Sequence, residues 1–169
     1  MMDTQTLLRG DPKGEVSIED GKMAVVFRRH YAKPVAKVWA AITTPERLAD
    51  WFGTATIDPR VGGALRLTFE NDAAMEMRIN RIEPPHVLGF IWQLGGADTQ
   101  VLFELKPEGS GCALTLTHSG FNARGAGVRA GWHAHLEGLA DSLDGRATPW
   151  HIKEQREDAV AALYPPLPA

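Results

Sequence analysis

Two histidines stand close together in His133-Ala134-His135, a stretch that a helical pattern covers. Histidines can share a metal ion when they lie four residues apart on one face of a helix. A spacing of two residues instead turns the rings about 200° apart around the helix axis. Cys112 is the only cysteine, so neither a disulfide nor a multi-cysteine metal site can form within the chain. We therefore predict no metal site.

A glycine-rich segment from Gly125 to Ala130 matches the G-x-G-x-x-A pattern of dinucleotide sites, and Asp144 follows at a distance suited to a ribose contact. That pattern works within a βαβ unit, in which another strand follows the helix. The sequence offers no further strand there, so we predict no dinucleotide and no other cofactor. No G-x-S-x-G, H-E-x-x-H or P-loop motif occurs, and we assign no catalytic residue.

One histidine falls on an apolar strand face. His118 continues the alternation of Leu114 and Leu116, while Thr117 and Ser119 fall on the other face. An inward imidazole can hydrogen-bond the polar end of a ligand, or it can be a core histidine that is satisfied by backbone or water. Both interpretations stay open.

Aromatic and methionine side chains supply the candidate wall of an apolar site. Such side chains line adaptable pockets for small molecules, but they also fill ordinary cores. The candidate ligand-binding residues are Trp51, Met75, Met77, Phe90, Trp92, His118, Phe121, Trp132, His135 and Leu136.

The elements that must position these residues form an α+β domain. Apolar alternation predicts a first strand from Lys22 to Ala32, and two short helices follow it, the second ending at Gly53. The later alternating runs are joined by short turns, which implies an antiparallel meander because parallel strands need longer crossovers. A long helix from about Val128 to Leu143 then closes over the curved sheet.

This closing helix carries two stripes. Bulky apolar residues form one, and small residues form a second beside it. Interior glycines cost a helix about 1 kcal/mol each relative to alanine, so we expect something to lie close to the small stripe. It is either a ligand or the backbone of the sheet. The small residues are Gly127, Gly131, Ala134, Gly138 and Ser142.

The composition limits the classes of partner that the protein is expected to bind. The chain has 169 residues, of which 44% are hydrophobic and 23% are charged, and its formal net charge is -3. This length suits one domain with one core. The charge, without any Lys/Arg run, predicts no nucleic-acid partner, and no apolar run approaches the ~20 residues that span a bilayer. The cytoplasm fits the single cysteine and the polar N-terminus.

We divide the chain into a polar N-terminal segment at 1–21, a domain at 22–145 and a tail at 146–169 that includes a short helix. The tail packs either on its own domain or on the second subunit of a homodimer.

An ordered series of short motifs resembles the START-like superfamily, also called SRPBCC or helix-grip proteins. The branch it resembles most is that of the homologues of the C-terminal domain of the heat-shock protein 90 ATPase activator. The likeness runs from about Met23 to Leu143. The motifs are Arg29-His30-Tyr31-Ala32-Lys33-Pro34, Val38-Trp39, Thr44-Pro45-Glu46, Trp51-Phe52, Gly62-Gly63, Trp92, Leu116-Thr117-His118-Ser119-Gly120-Phe121 and Gly131-Trp132.

The resemblance implies a helix-grip fold with a cavity between the sheet and the final helix. Related domains bind lipids, hormones or polyketides, and some catalyse cyclisation, so the fold alone does not define the function. We expect a small hydrophobic or lipid-like ligand in that cavity. The alternatives are a cyclase- or hydrolase-like enzyme that uses the same cavity, and an interaction or co-chaperone-like stress-response protein.

Overall fold

The computed structural model describes residues 8–94, 96–121 and 127–164. Part of the predicted N-terminal segment, part of the tail, and Gly125 and Ala126 of the dinucleotide-like segment lie outside the described residues. Within those residues the chain forms eight strands and four helices. They are β1 (Glu15–Glu19), β2 (Lys22–Tyr31), α1 (Val35–Thr43), α2 (Pro45–Trp51), β3 (Thr54–Ile57), β4 (Ala64–Thr68), β5 (Ala74–Glu83), β6 (Val87–Leu94), β7 (Ala97–Glu108), β8 (Gly111–Phe121), α3 (Gly127–Leu143) and α4 (Trp150–Ala161).

All neighbouring strands pair antiparallel in one sheet, in the order β1-β2-β8-β7-β6-β5-β4-β3. The predicted α+β architecture is confirmed, with a strand, two short helices, a meander and a long helix in that order. The early strand β2 lies beside the late strand β8, with Val25 opposite His118. This pairing brings the last strand of the meander to the centre of the sheet, directly before α3.

The structure adds one strand to the prediction. β1 pairs with β2 from Glu15 opposite Val26 to Glu19 opposite Lys22. Asp20 and Gly21 connect the two strands, and both have positive φ angles, of 51° and 74°. That backbone is typical of a two-residue hairpin turn, for which Asp-Gly is a favoured sequence. The polar composition of this segment obscured the strand because β1 lies at the edge of the sheet.

Helix α3 is buried around most of its circumference. Its bulky residues, including Trp132, Leu136 and Leu139, belong to the core. Charged and polar residues repeat every four positions along a second face and are buried too; they are Arg129, His133, Glu137 and Asp141. A helix that is buried on both faces needs partners for its charges. Other parts of the chain must therefore cover the polar face.

Residues before β1 and the helix α4 cover that polar face. The backbone N–H of Arg9 donates to both carboxylate oxygens of Glu137, at 3.1 Å each. The Arg9 guanidinium lies 2.6 Å from Asp141, and Arg156 of α4 lies 2.7 Å from the same carboxylate. In this structure the tail thus packs on its own domain.

Tyr164 joins both covering segments to α3. Its hydroxyl accepts a hydrogen bond from the backbone N–H of Gly14 at 2.8 Å, and it lies 2.8 Å from Nδ1 of His133. Because the hydroxyl proton is free to donate, Tyr164 can supply it to the imidazole nitrogen. His133 is thus engaged on the polar face of α3, away from the face that carries His135.

Asp141 is held ionised by arginines, of which Arg9 and Arg156 lie nearest and the more exposed Arg146 lies at 3.4 Å. Burial alone would raise the pKa of this carboxyl, but the hydrogen bonds from Arg9 and Arg156 outweigh burial and hold the pKa below its ordinary value of 3.8. The stabilisation from the ionised Asp141 is therefore complete above pH 3.8, the ordinary pKa of the carboxyl, and is lost as the pH falls through the lowered pKa.

Among the described residues, no helix is long and apolar enough to cross a bilayer.

We predict that Arg156→Met lowers the free energy of unfolding by about 1–3 kcal/mol, because it removes the most buried of the three arginines that contact the Asp141 carboxylate. Arg66→Met is the matched control. Arg66 also lies 2.7 Å from its carboxylate partner, Glu76, but both side chains are 62% exposed, so the change should stay within about 0.5 kcal/mol. Urea denaturation followed by circular dichroism measures both. Equal losses in the two variants would contradict a structural role for α4.

Candidate functional site

Trp132 is the hub of an aromatic cluster between α3 and the sheet. Its position on the bulky face of α3 directs the indole towards strands β6, β7 and β8. The side chain is 2% exposed. Its ring centroid lies within 6.2 Å of five other rings, which belong to Phe52 (5.4 Å), Trp92 (5.8 Å), Phe103 (5.9 Å), His135 (6.0 Å) and His118 (6.2 Å).

A chain of three hydrogen bonds runs through the cluster. The indole N–H of Trp132 donates to Nδ1 of His118 at 2.9 Å. An indole nitrogen only donates, so Nδ1 is unprotonated and the proton of the neutral ring resides on Nε2. Nε2 lies 2.8 Å from Oγ1 of Thr99, and that hydroxyl donates to the backbone oxygen of Trp92 at 2.6 Å. These bonds fix the tautomer of His118.

His118 is a neutral histidine. Burial lowers its pKa from 6.5 to about 4. The Trp92 ring stacks on the imidazole at 5.4 Å and 14°, and Phe121 meets it edge-on at 5.2 Å. Both ring nitrogens already have protein partners. The hydrogen bonds therefore match the interpretation as a satisfied core histidine, and a ligand could reach His118 only by replacing one of them.

His135 differs from His118 in having one nitrogen to spare. Nδ1 lies 3.2 Å from the backbone oxygen of Trp51 and donates to it, whereas no described residue supplies a partner for Nε2. The rings of Phe52, Trp51 and Trp132 surround the imidazole at 5.1–6.4 Å. Burial lowers the pKa of His135 to about 4, so the imidazole is neutral at pH 7 and Nε2 is a hydrogen-bond acceptor.

The structure brings many of the candidate residues together. We define the aromatic cluster as seven ring residues linked by the contacts above: Trp51, Phe52, Trp92, His118, Phe121, Trp132 and His135. Phe90 reaches it through Phe103, whose ring lies 6.3 Å away. Leu136 is buried one helical turn beyond Trp132. Met77 is buried on β5 and Met75 is half-buried on the same strand, opposite Leu65 and Leu67 of β4.

Phe52 and Thr99 belong to this site although the sequence analysis did not select them. Thr99 shares the inward register of Val101 and Phe103, so extending the alternation of β7 by one position would have placed it inside. Phe52 follows the last residue of α2 and stacks on Trp51 at 5.0 Å. The helical periodicity of this segment places Phe52 on the buried side of α2, but it does not reveal the contact with Trp132 of α3.

The small stripe of α3 divides into two halves. A Cβ atom on Gly138 would lie 3.2 Å from Cβ of Trp51, so this half packs closely on α2 rather than on the sheet. Ser142 confirms the contact, because its hydroxyl donates to Asp50 at 2.8 Å. At Gly127 and Gly131, by contrast, an added Cβ would meet no described atom within 4 Å. Gly127 is exposed and Gly131 is half-buried, so no described residue packs against the first two turns of α3 on this side.

Two rings of the aromatic cluster remain partly accessible. Trp92 and His135 are half-buried, whereas the other five are at most 3% exposed. The two accessible rings contact Trp132 at 5.8 and 6.0 Å. The cluster thus presents an apolar surface and a polar nitrogen beside its buried centre.

A separate cleft of about 570 Å³ lies near the other end of α3, lined in part by Lys33, Lys37, Arg47 and Asp50. There Arg47 forms an ion pair with Asp50, and Ser142 is hydrogen-bonded to both side chains. This cleft is at the surface between helices and includes none of the candidate wall residues.

An antiparallel sheet that grips a long C-terminal helix is the helix-grip fold of START-like proteins, as the sequence predicts. The family model described as "Activator of Hsp90 ATPase homolog 1-like protein" matches residues 32–144, and the chain belongs to that family.

Several solved structures share this fold. CalU16 from Micromonospora echinospora is 31% identical with a TM-score of 0.69, and the match covers 89% of this chain and 97% of CalU16. Protein MLL2253 from Mesorhizobium loti is 26% identical with a TM-score of 0.68, covering 72% of this chain and 97% of that one. DynU16 is 27% identical with a TM-score of 0.67, covering 76% of this chain and 49% of DynU16.

We predict that His118→Phe destabilises the protein at pH 7 by about 1–3 kcal/mol, because the Trp132 N–H loses its acceptor. It should also flatten the pH dependence. Since the unfolded histidine binds a proton near pH 6.5 and the folded one near pH 4, wild-type stability falls as the pH drops through that window, by about 3 kcal/mol for this residue.

Urea denaturation at pH 7.0, 5.5 and 4.5 tests this prediction. His30→Phe is the control, because the His30 side chain is 52% exposed. A stabilised His118→Phe protein with an unchanged pH profile would show that the hydrogen-bond chain contributes nothing.

The divided stripe predicts opposite effects of one substitution at two glycines. Gly131→Ala should raise the free energy of unfolding by about 0.5–1 kcal/mol, because alanine favours the helix and its methyl group enters open space. Gly138→Ala should fail to stabilise, or should destabilise by about 1 kcal/mol, because its methyl group presses on Trp51. Thermal and urea unfolding distinguish the two. Equal stabilisation by both would mean that the stripe is open along its whole length.

Proposed function

We propose that the protein binds a small hydrophobic or lipid-like molecule between the sheet and α3, at the aromatic cluster. The observation that carries this proposal is the open side of α3 at Gly127 and Gly131. It lies next to a helix face whose Trp132 is surrounded by five rings. A ligand that enters there would meet aromatic walls with no side chain from those two helix positions in the way.

The chemistry of the cluster favours an apolar ligand. Burying apolar surface yields about 25 cal/mol per Å², and aromatic contacts add about 0.5–1.5 kcal/mol each. Trp92 offers partly accessible ring surface for such contacts. The two histidines, His118 and His135, have lowered pKa values and are neutral at pH 7. The seven side chains of the cluster therefore bring no net charge that would retain water.

The relatives support a small-molecule role. DynU16 is described as a protein of the dynemicin biosynthetic locus, a setting that is compatible with a small-molecule ligand. We extend that context to this chain as part of the proposal. The buried, unpaired Cys112 suits the reducing cytoplasm, where we expect the protein to act.

Binding is favoured over catalysis by the state of the two histidines. A cyclase- or hydrolase-like mechanism needs at least two titratable groups that face the reacting atoms. His118 uses both nitrogens within the protein, which leaves His135 as the histidine of the cluster with a nitrogen to offer. The co-chaperone alternative rests on the family description, and the packing of α4 on α3 gives it no added support.

The test uses N-phenyl-1-naphthylamine, a neutral fluorescent probe, together with native mass spectrometry of the purified protein. We expect saturable binding by the wild type. Gly131→Leu should weaken binding at least 10-fold because its side chain fills the open space, whereas the control Gly131→Ala should stay within about 3-fold. Absence of saturable probe binding and of any copurifying molecule would refute the proposed function. If Gly131→Leu binds the probe as tightly as wild type, the binding site does not lie against this part of α3.

A further inference from the structure

We propose that the bound molecule carries a hydroxyl or phenol group and that Nε2 of His135 accepts its hydrogen bond, so that His135 selects neutral hydrogen-bond donors. This inference rests on the proposed function. It defines the chemical class of the ligand and assigns the residue that distinguishes that class from plain hydrocarbons and from carboxylates.

The direction of the imidazole follows from the hydrogen bond that it makes with a described residue. Nδ1 donates to the carbonyl at the end of α2, 3.2 Å away, and the two nitrogens of an imidazole point away from each other. Nε2 is therefore directed away from the Trp51 backbone. In the neutral ring it has a lone pair and no proton, so it can accept a hydrogen bond and cannot donate one. A ligand group that pairs with it must be a donor.

The other polar side-chain atoms at the cluster are donors or are buried and already hydrogen-bonded within the protein. The N–H groups of Trp51 and Trp132 donate to Ala41 and His118, and Thr99 both receives from His118 and donates to the Trp92 carbonyl. The indole N–H of Trp92 has no partner among the described residues, but it can only donate. His135 is thus the acceptor that the site offers, with Trp92 available to an oxygen elsewhere on the ligand.

The unprotonated Nε2 of His135 disfavours a carboxylate at this position, because neither group has a proton to share. Lys153 of α4 lies close enough to influence the imidazole. Burial lowers the pKa of Lys153, and Glu70 and Asp50 oppose that lowering. A ligand carboxylate would have to leave water for an aromatic site and would face the lone pair of Nε2. A hydroxyl group carries no charge and supplies the proton that Nε2 needs.

Three matched ligands test the proposal at pH 7: 2-naphthol, which donates; 2-methoxynaphthalene, which only accepts; and 2-naphthoate, which is anionic. We expect 2-naphthol to bind wild type about 3- to 10-fold more tightly than 2-methoxynaphthalene, the size of effect that one hydrogen bond produces. Naphthoate should bind weakest. Isothermal titration calorimetry measures all three affinities.

His135→Phe should bring the two neutral ligands within 2-fold of each other while the 2-methoxynaphthalene affinity stays or improves. Circular dichroism checks that the variant folds, and the wild-type ranking tests the proposal without it. Equal wild-type affinities for naphthol and methoxynaphthalene overturn the inference but leave the proposed function standing. Tightest binding of naphthoate also overturns it and would assign recognition to Lys153. Failure of all three ligands and of N-phenyl-1-naphthylamine refutes both proposals.

Discussion

The hydrogen bond from the Trp132 indole to His118 is the contact on which the arrangement between helix and sheet depends. It joins α3 to β8, and its continuation through Thr99 to the Trp92 carbonyl adds β7 and β6. Trp132, His118 and Thr99 are buried, and the direction of each hydrogen bond in the chain is fixed. Such a chain fixes the rotation of α3 as well as its distance from the sheet, because the bond forms in only one orientation of the indole.

The opposite face of α3 is held by charge. Glu137 and Asp141 would be costly to bury alone, and Arg9 and Arg156 make their burial tolerable. The helix therefore meets an aromatic interior on one side and an ionic layer on the other, while α2 packs against Gly138 between them. The open first turns at Gly127 and Gly131 stand out because the rest of the helix is enclosed.

Local patterns were enough to predict the fold and its order of elements. Alternation and short turns specified the meander, and the ordered motifs agreed with them. The hairpin at Asp20-Gly21 could also have been predicted from its dipeptide. The sequence could not show that Arg129, His133, Glu137 and Asp141 are buried, because that depends on segments more than a hundred residues away in the case of Arg9. Nor could it show that Thr99 is the hydrogen-bond partner of His118 Nε2. It also could not show that the small residues of α3 pack on α2 at Gly138 but meet no described residue at Gly131.

The charged face of α3 is completed late in the order of synthesis. Arg156 and Tyr164 both come after the end of α3 at Leu143. Arg156 contacts Asp141, and Tyr164 contacts His133. A nascent chain that has released α3 but not yet α4 can pair Glu137 and Asp141 with Arg9 but lacks the Arg156 contact to Asp141 and the Tyr164 contact to His133. The aromatic face of α3 therefore finds all its partners in segments made before α4, whereas the polar face is covered completely only after α4 has been made.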